Sequence, residues 1–176
     1  MSIMTNRFAW FAGCWLLSAG VVQAETPLGE INIELRGNVV DFTCVAEAGD
    51  SDKTVPLGTW ATKQLRPTGS TTSQVPFSLK LTGCPPGSAS ITFSGKPDPK
   101  DSTLLALNGN SQASNVAVEI RDKDRSRLPL DQASQEVVVD AQGNVTLQFF
   151  ANYIATAEDP QPGVADADAT FMINYN

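Results

Sequence analysis

Any chemistry in this chain falls to carboxylates and thiols, because histidine is missing from all 176 residues. Without an imidazole there is no Ser-His-Asp triad, no Cys-His pair and no His-containing zinc site. Nineteen acids remain, and two of them held about 5 to 9 Å apart across a cleft could hydrolyse a glycoside. They fall mostly in turn sequences such as Asp98-Pro99-Lys100-Asp101, where a carboxylate is ordinarily solvated. Asp50-Ser51-Asp52 and Asp166-Ala167-Asp168 each set two acids two residues apart. Neither continues as the Asp-x-Asp-x-Asp-Gly of a calcium loop. Asn144-Val145-Thr146 matches the glycosylation sequon at the start of an apparent strand. No glycine loop suited to phosphate is present. No catalytic residue, metal ligand set or cofactor follows from these residues.

The cysteines depend on where the chain goes. Arg7 precedes an uncharged apolar run, Phe8 to Val22, and Val22-Gln23-Ala24 offers small residues at the cleavage-determining positions. That run is short for a bilayer span and has the layout of a secretory leader. Residues 1–24 are therefore expected to be a signal peptide cut after Ala24. Cys14 leaves with it, and an exported chain with only Cys44 and Cys84 most simply joins them in one disulfide. Trp60 is the one tryptophan outside the leader, so no aromatic platform for sugar or base stacking is evident. Losing Arg7 leaves 11 basic residues against 19 acidic ones. That balance disfavours nucleic acid and anionic membranes as partners.

Behind these residues lies a chain whose apolar positions recur every second residue. Ile31, Ile33, Leu35, Gly37 and Val39 share one face of an extended segment. The same alternation marks Phe77-Leu79-Leu81, Ile91-Phe93, Val116-Val118-Ile120 and Val137-Val139. It continues through Val145-Leu147-Phe149-Ala151-Tyr153 and Ala167-Ala169-Phe171-Ile173-Tyr175. Ala141-Gln142-Gly143-Asn144 reads as a hairpin turn. The best helical candidate is a short turn or 3₁₀ piece within Ser102–Asn108, where Leu104, Leu105 and Leu107 cluster. Polar stretches such as Glu47 to Lys53 read as solvated connections. The pattern predicts an all-β domain, an antiparallel Greek-key sandwich.

From alternation alone, a complete, self-contained sandwich and one with an outward-reaching first strand are equally compatible. A secreted sandwich that binds a ligand such as carbohydrate through its loops is the rival reading.

Specific residues point further. The alternating stretch ending Gly37-Asn38-Val39-Val40 precedes Cys44, and Val55-Pro56-Leu57-Gly58 follows. Then come Phe77-x-Leu79-x-Leu81-x-x-Cys84, Phe93-x-Gly95, Leu104-Leu105-Ala106-Leu107, Asn115-Val116-Ala117-Val118 and Phe149-x-Ala151-x-Tyr153. Gly163 is fourteenth from the C-terminus and Tyr175 is penultimate. In these features the chain resembles the structural pilins of chaperone–usher fimbriae, the type 1 fimbrial subunit family. The resemblance implies an incomplete immunoglobulin-like Greek-key β-sandwich completed by a donor strand from a neighbouring subunit. It divides the chain into a signal peptide (1–24), an N-terminal donor-strand extension (25–40) and a pilin domain (41–176).

Ile31, Ile33, Leu35, Gly37 and Val39 would be the donor-strand side chains. Gly163, Phe171, Ile173, Tyr175 and Asn176 would serve the acceptor groove or meet a chaperone. Cys44 and Cys84 match the family disulfide. The implied partners are neighbouring subunits head to tail, a periplasmic pilus chaperone and an outer-membrane usher, not nucleic acid. The implied destination is a fimbrium on the cell surface, reached through the periplasm. The implied role is a rod pilin or a minor adaptor subunit, with no enzyme activity and no cofactor.

Overall fold

A computed structural model describes residues 44–176. The leader, the donor-strand extension with Ile31, Ile33, Leu35, Gly37 and Val39, and residues 41–43 lie outside the described residues.

Seven strands follow in order: β1 (Val45–Ala46), β2 (Val75–Thr82), β3 (Ser88–Gly95), β4 (Val116–Arg121), β5 (Val137–Val138), β6 (Val145–Ala155) and β7 (Ala169–Tyr175). They form two antiparallel sheets, β1-β2-β6-β4 and β5-β3-β7. Consecutive strands fall in different sheets at β2–β3, β3–β4, β4–β5, β5–β6 and β6–β7, so the chain crosses the sandwich repeatedly in Greek-key fashion. The alternating residues explain why the sheets face each other. Leu79 and Leu81 of β2, Ile91 and Phe93 of β3, and Leu147 and Phe149 of β6 are buried in one core. Phe77, Phe93 and Phe149 meet there, with ring centroids 5.0 to 6.2 Å apart.

Cys44 and Cys84 form a disulfide that joins the start of β1 to the turn between β2 and β3. The turn expected at Ala141–Asn144 closes with a Gly143 N–H donated to Asp140 O at 3.0 Å, Gly143 sitting at φ +78°.

The short turn expected within Ser102–Asn108 is present, and two other expectations are corrected. Ser102–Asn108 makes one turn, with Leu104 N–H on Asp101 O at 3.0 Å, and then runs extended, Leu105 bridging Val118. The one helical segment among the described residues is a 3₁₀ turn at Thr62–Leu65. β4 is buried on both faces, since Ala117 and Glu119 are as enclosed as Val118 and Ile120. Finally, Asp50, in the stretch read as a solvated connection, is buried. Its carboxylate takes Lys53 Nζ and the backbone N–H of Lys80. Those two bonds hold it ionised below the ordinary carboxylate range, against the opposing effect of burial.

Candidate functional site

The second sheet stops at β7. One edge of β7 pairs with β3, from Ala89↔Tyr175 to Gly95↔Ala169. Its other edge has no strand beside it among the described residues. Facing that edge is the stretch 51–59, which joins no strand. Between them opens a cleft of about 1180 Å³. Phe77 and Leu79 of β2, Phe93 of β3, and Val118 and Ile120 of β4 lie at its base. Ala151 and Tyr153 of β6 continue the floor, and Phe171 of β7 closes one side.

The exposure of β7 differs from that of its neighbour β3 among the described residues. Ile91 and Phe93 are buried, but their cross-strand partners Ile173 and Phe171 are only half-buried while packing on the same core. Inward-facing residues of adjacent strands share one environment when a sheet continues on both sides. Here it continues on one side, and β7 presents a row of backbone donors and acceptors at its rim.

Polar contacts hold the two walls apart from the floor. On the β7 side, Tyr153 Oη donates to Ala165 O at 2.7 Å. Burial, and secondarily the Asp166 charge, push that phenol above its ordinary pKa, so it stays a donor. Asn108 donates its backbone N–H to Asp166 O at 2.7 Å and its Nδ2 to Asp168 Oδ2 at 2.8 Å. On the opposite wall, Trp60 Nε1 donates to Leu57 O at 2.7 Å, and Lys53 Nζ donates to Ser78 O at 2.7 Å. Trp60 is thus tucked into its own wall, half-buried, rather than offered as a stacking surface.

Each residue singled out at the C-terminal end has a distinct place. Phe171 lines the cleft. Ile173 packs against the main core. Tyr175 is 40% exposed, its hydroxyl 4.0 Å from Cys84 Sγ. Asn176 exchanges backbone hydrogen bonds with Ser88, both 3.0 Å. Its side-chain amide donates to Glu136. Gly163 stands apart from the cleft lining, its backbone so close to residues 112–113 that a Cβ would lie 2.5 Å from Ala113 N. Gln112 and Ala113 both donate to Val164 O there, at 3.0 Å. That close approach fixes where the β7-side wall begins.

The acids do not converge in the cleft as a hydrolase would need. Asp52, Asp166 and Asp168 sit on its rim, exposed. The one fully buried glutamate among the described residues, Glu119, points to the opposite face of β4. There it meets Arg121, Arg127 and Asn152. Sequence reasoning passed over this group, since one glutamate inside Val116-Ala117-Val118-Glu119-Ile120 carries no signal beyond being the polar member of an alternation.

The architecture is that of an immunoglobulin-like sandwich with one sheet left open over an apolar cleft. Residues 33–176 match the model of the family described as fimbrial protein. The chain is 63% identical over 164 residues to the fimbrial-like protein FimF of Salmonella typhimurium, covering 93% of this chain and 94% of that one. It is 36% identical to the fimbrial subunit type 1 of the same species, over 98% of this chain and 97% of the relative. The fold is similar to that of the P pilus rod subunit PapA, with a TM-score of 0.63 at 17% identity, covering 76% of this chain and 99% of PapA. The chain belongs to the fimbrial protein family and is a structural fimbrial subunit. The secreted carbohydrate-binding sandwich is not favoured by these relationships.

Proposed function

We propose that the open edge of β7 is an acceptor for an extended segment of a neighbouring subunit, and that this chain is added to a fimbria by donor-strand exchange. The half-burial of Phe171 and Ile173 beside fully buried partners carries this reading. A strand laid along β7 would pair its backbone and put alternate apolar side chains onto the floor. Ile31, Ile33, Leu35, Gly37 and Val39 supply such a row in sequence, for the cleft of the next molecule. Donor and acceptor are different surfaces, so assembly is head to tail and open-ended. Until a subunit arrives, a periplasmic chaperone covers the cleft, and an outer-membrane usher releases the subunit into the fibre at the cell surface. The leader, residues 1–24, starts that route, and no helix among the described residues is long and apolar enough to cross a membrane. The chain works by binding, as an intermediate adaptor, and performs no catalysis. The chain is 63% identical to a relative named fimbrial-like and 36% identical to the one named fimbrial subunit type 1, which sets it apart from the latter.

The test compares the mature chain with a form lacking residues 25–39, each with and without synthetic donor peptides. The truncated form should aggregate or melt low, and a peptide from a neighbouring subunit's extension should raise its melting temperature in proportion to log concentration. A truncated form that stays monomeric and is indifferent to every extension peptide refutes the proposal. Strong stabilisation by its own peptide 28–39, with none from other extensions, refutes the adaptor role and makes it a rod pilin.

A further inference from the structure

We propose that Asn108 is a site of spontaneous deamidation whose product loosens the β7-side wall of the cleft. The inference rests on the turn at residues 108–111 and does not depend on what occupies the cleft.

Asn108-Gly109 is the one Asn-Gly pair in the chain. Deamidation begins when the backbone nitrogen of the following residue, having lost its proton, attacks the asparagine Cγ. A Gly109 N–Cγ bond forms, the Cγ–Nδ2 bond breaks, and ammonia leaves. Water then opens the five-membered imide at either carbonyl, giving aspartate or an isoaspartyl linkage. Water is the only co-reactant. Glycine is the least obstructive residue to follow the asparagine, because it presents no Cβ to the forming ring.

The local structure permits the attack. Ser111 N–H donates to Asn108 O at 2.9 Å, so residues 108–111 form a turn. Among the described backbone hydrogen bonds, none uses the Gly109 N–H. Gly109 is exposed, and no heavy atom lies within 4 Å of where its Cβ would stand, leaving room for the ring. Asn110 beside it is exposed as well.

Asn108 is half-buried and lines the cleft. Its side-chain amide donates to Asp168 Oδ2 at 2.8 Å. To reach Gly109 N the side chain must rotate out of that bond, so Asp168 acts as a brake on the reaction. Once deamidation has occurred the relation reverses. A carboxyl group then stands where the amide donated, and the N–H donor to Asp168 is gone. The isoaspartyl product also adds a backbone carbon, pulling the Asn108 N–H off Asp166 O, now 2.7 Å away. The isoaspartyl product thus loses both of the contacts Asn108 makes to the wall, leaving Tyr153 and Ser111 to hold residues 165–166.

The test ages the purified mature chain in mildly alkaline buffer at body temperature, then maps peptides by mass and labels isoaspartate with a methyltransferase. The mass change of replacing NH by O should appear at Asn108 well before Asn115, Asn144 or Asn152. It should run several-fold faster in Asp168→Ala and be nearly abolished in Gly109→Ala. Hydrogen exchange of the amides at 165–168 should speed up in the aged chain, and in Asn108→Asp where that variant folds. If Asn108 stays intact in both the parent chain and Asp168→Ala while a free peptide of residues 104–112 converts, the site assignment is overturned. If Asn108 converts but exchange at 165–168 in the aged chain is unchanged, the claim about the wall is overturned.

Discussion

Replacing Glu119 by alanine lowers the melting temperature by several degrees at neutral pH and by much less in acid. Glu119 is fully buried. Its carboxylate accepts from Arg121 Nε at 2.9 Å, Arg127 Nε at 2.7 Å and Asn152 Nδ2 at 3.0 Å. Removing one member of a buried pair typically costs about 3–5 kcal/mol, because the other is left uncompensated. Here the arginine side chains are 21% and 38% exposed and can recover part of that loss from water. Asn152 is fully buried and cannot. A loss of roughly 2–3 kcal/mol follows, which at roughly 2–4 °C per kcal/mol is a drop of about 4–12 °C. Glu119→Gln keeps the volume and an acceptor for Asn152 and should lose about half as much.

The pH dependence fixes the cause. Burial pushes the Glu119 carboxyl up, but the hydrogen bonds from Asn152 and Arg127, with the Arg121 charge and hydrogen bond, more than reverse this and hold it below its ordinary value. A group whose folded pKa is depressed stabilises fully above its unfolded value, near about 4.3, and loses that contribution as pH falls through the folded value. The gap between parent and Glu119→Gln should therefore be widest above that pH and close in more acid solution. Calorimetry of both chains at the two pH values, in the same state of cleft occupancy, measures it. A neutral-pH difference within about 1 °C, the size of an ordinary surface change, or a gap that persists in acid, refutes the reasoning.

Other perturbations test other parts of the structure. Cys44→Ala with Cys84→Ala opens a loop spanning a sequence separation of 40; chemical denaturation should show a loss of about 4 kcal/mol on the chain-entropy model. Phe149→Ala removes a ring that is 1% exposed and should cost about 3–5 kcal/mol. Phe171→Ala, at the half-buried edge, should cost clearly less in the truncated chain but sharply weaken the stabilisation by a donor peptide; equal costs would mean the cleft is already filled. Gly163→Ala forces a Cβ to 2.5 Å from Ala113 N and should cost about 1–3 kcal/mol, with faster hydrogen exchange at 112–113 and 164.

Alternation exposes an element when one of its faces is buried and the other wet, and β2 and the first half of β6 satisfy that condition. It fails where loops cover the outer face. Ala117 and Ile154 are buried under Leu104, and Glu119 lies under Arg127, so β4 and the end of β6 are enclosed on both sides. Those covers come from residues remote in sequence, which no local period records. Leu104 and Leu105 look like one turn of helix for the same reason: they serve opposite faces of one sheet, Leu104 outside and Leu105 in the core. The 3₁₀ turn at Thr62–Leu65 is too short to show a period; its sole trace is Gln64, whose Oε1 accepts the Ala61 N–H at 3.0 Å. Asp50 escaped notice because its burial depends on Lys80, 30 residues away.

The open cleft was legible only through the family resemblance, for a reason intrinsic to strands. Period two says which side chains share a face and nothing about how many neighbours the strand has. Phe171 and Ile173 would alternate identically at the centre of a sheet; their half-burial beside Phe93 and Ile91 marks β7 as an edge among the described residues. A contiguous apolar floor open to solvent marks an interaction site or an aggregation liability. Here the β7-side wall is fixed to Tyr153 and Asn108, and the opposite wall to Ser78 through Lys53 and to Trp60 through Leu57. Each anchor is a hydrogen bond made by a side chain, and of the floor residues named above Tyr153 supplies one. For the strand proposed above, the floor supplies apolar contact and the two walls border it on either side. Loosening an anchor should weaken retention of a strand without changing which apolar side chains the floor prefers.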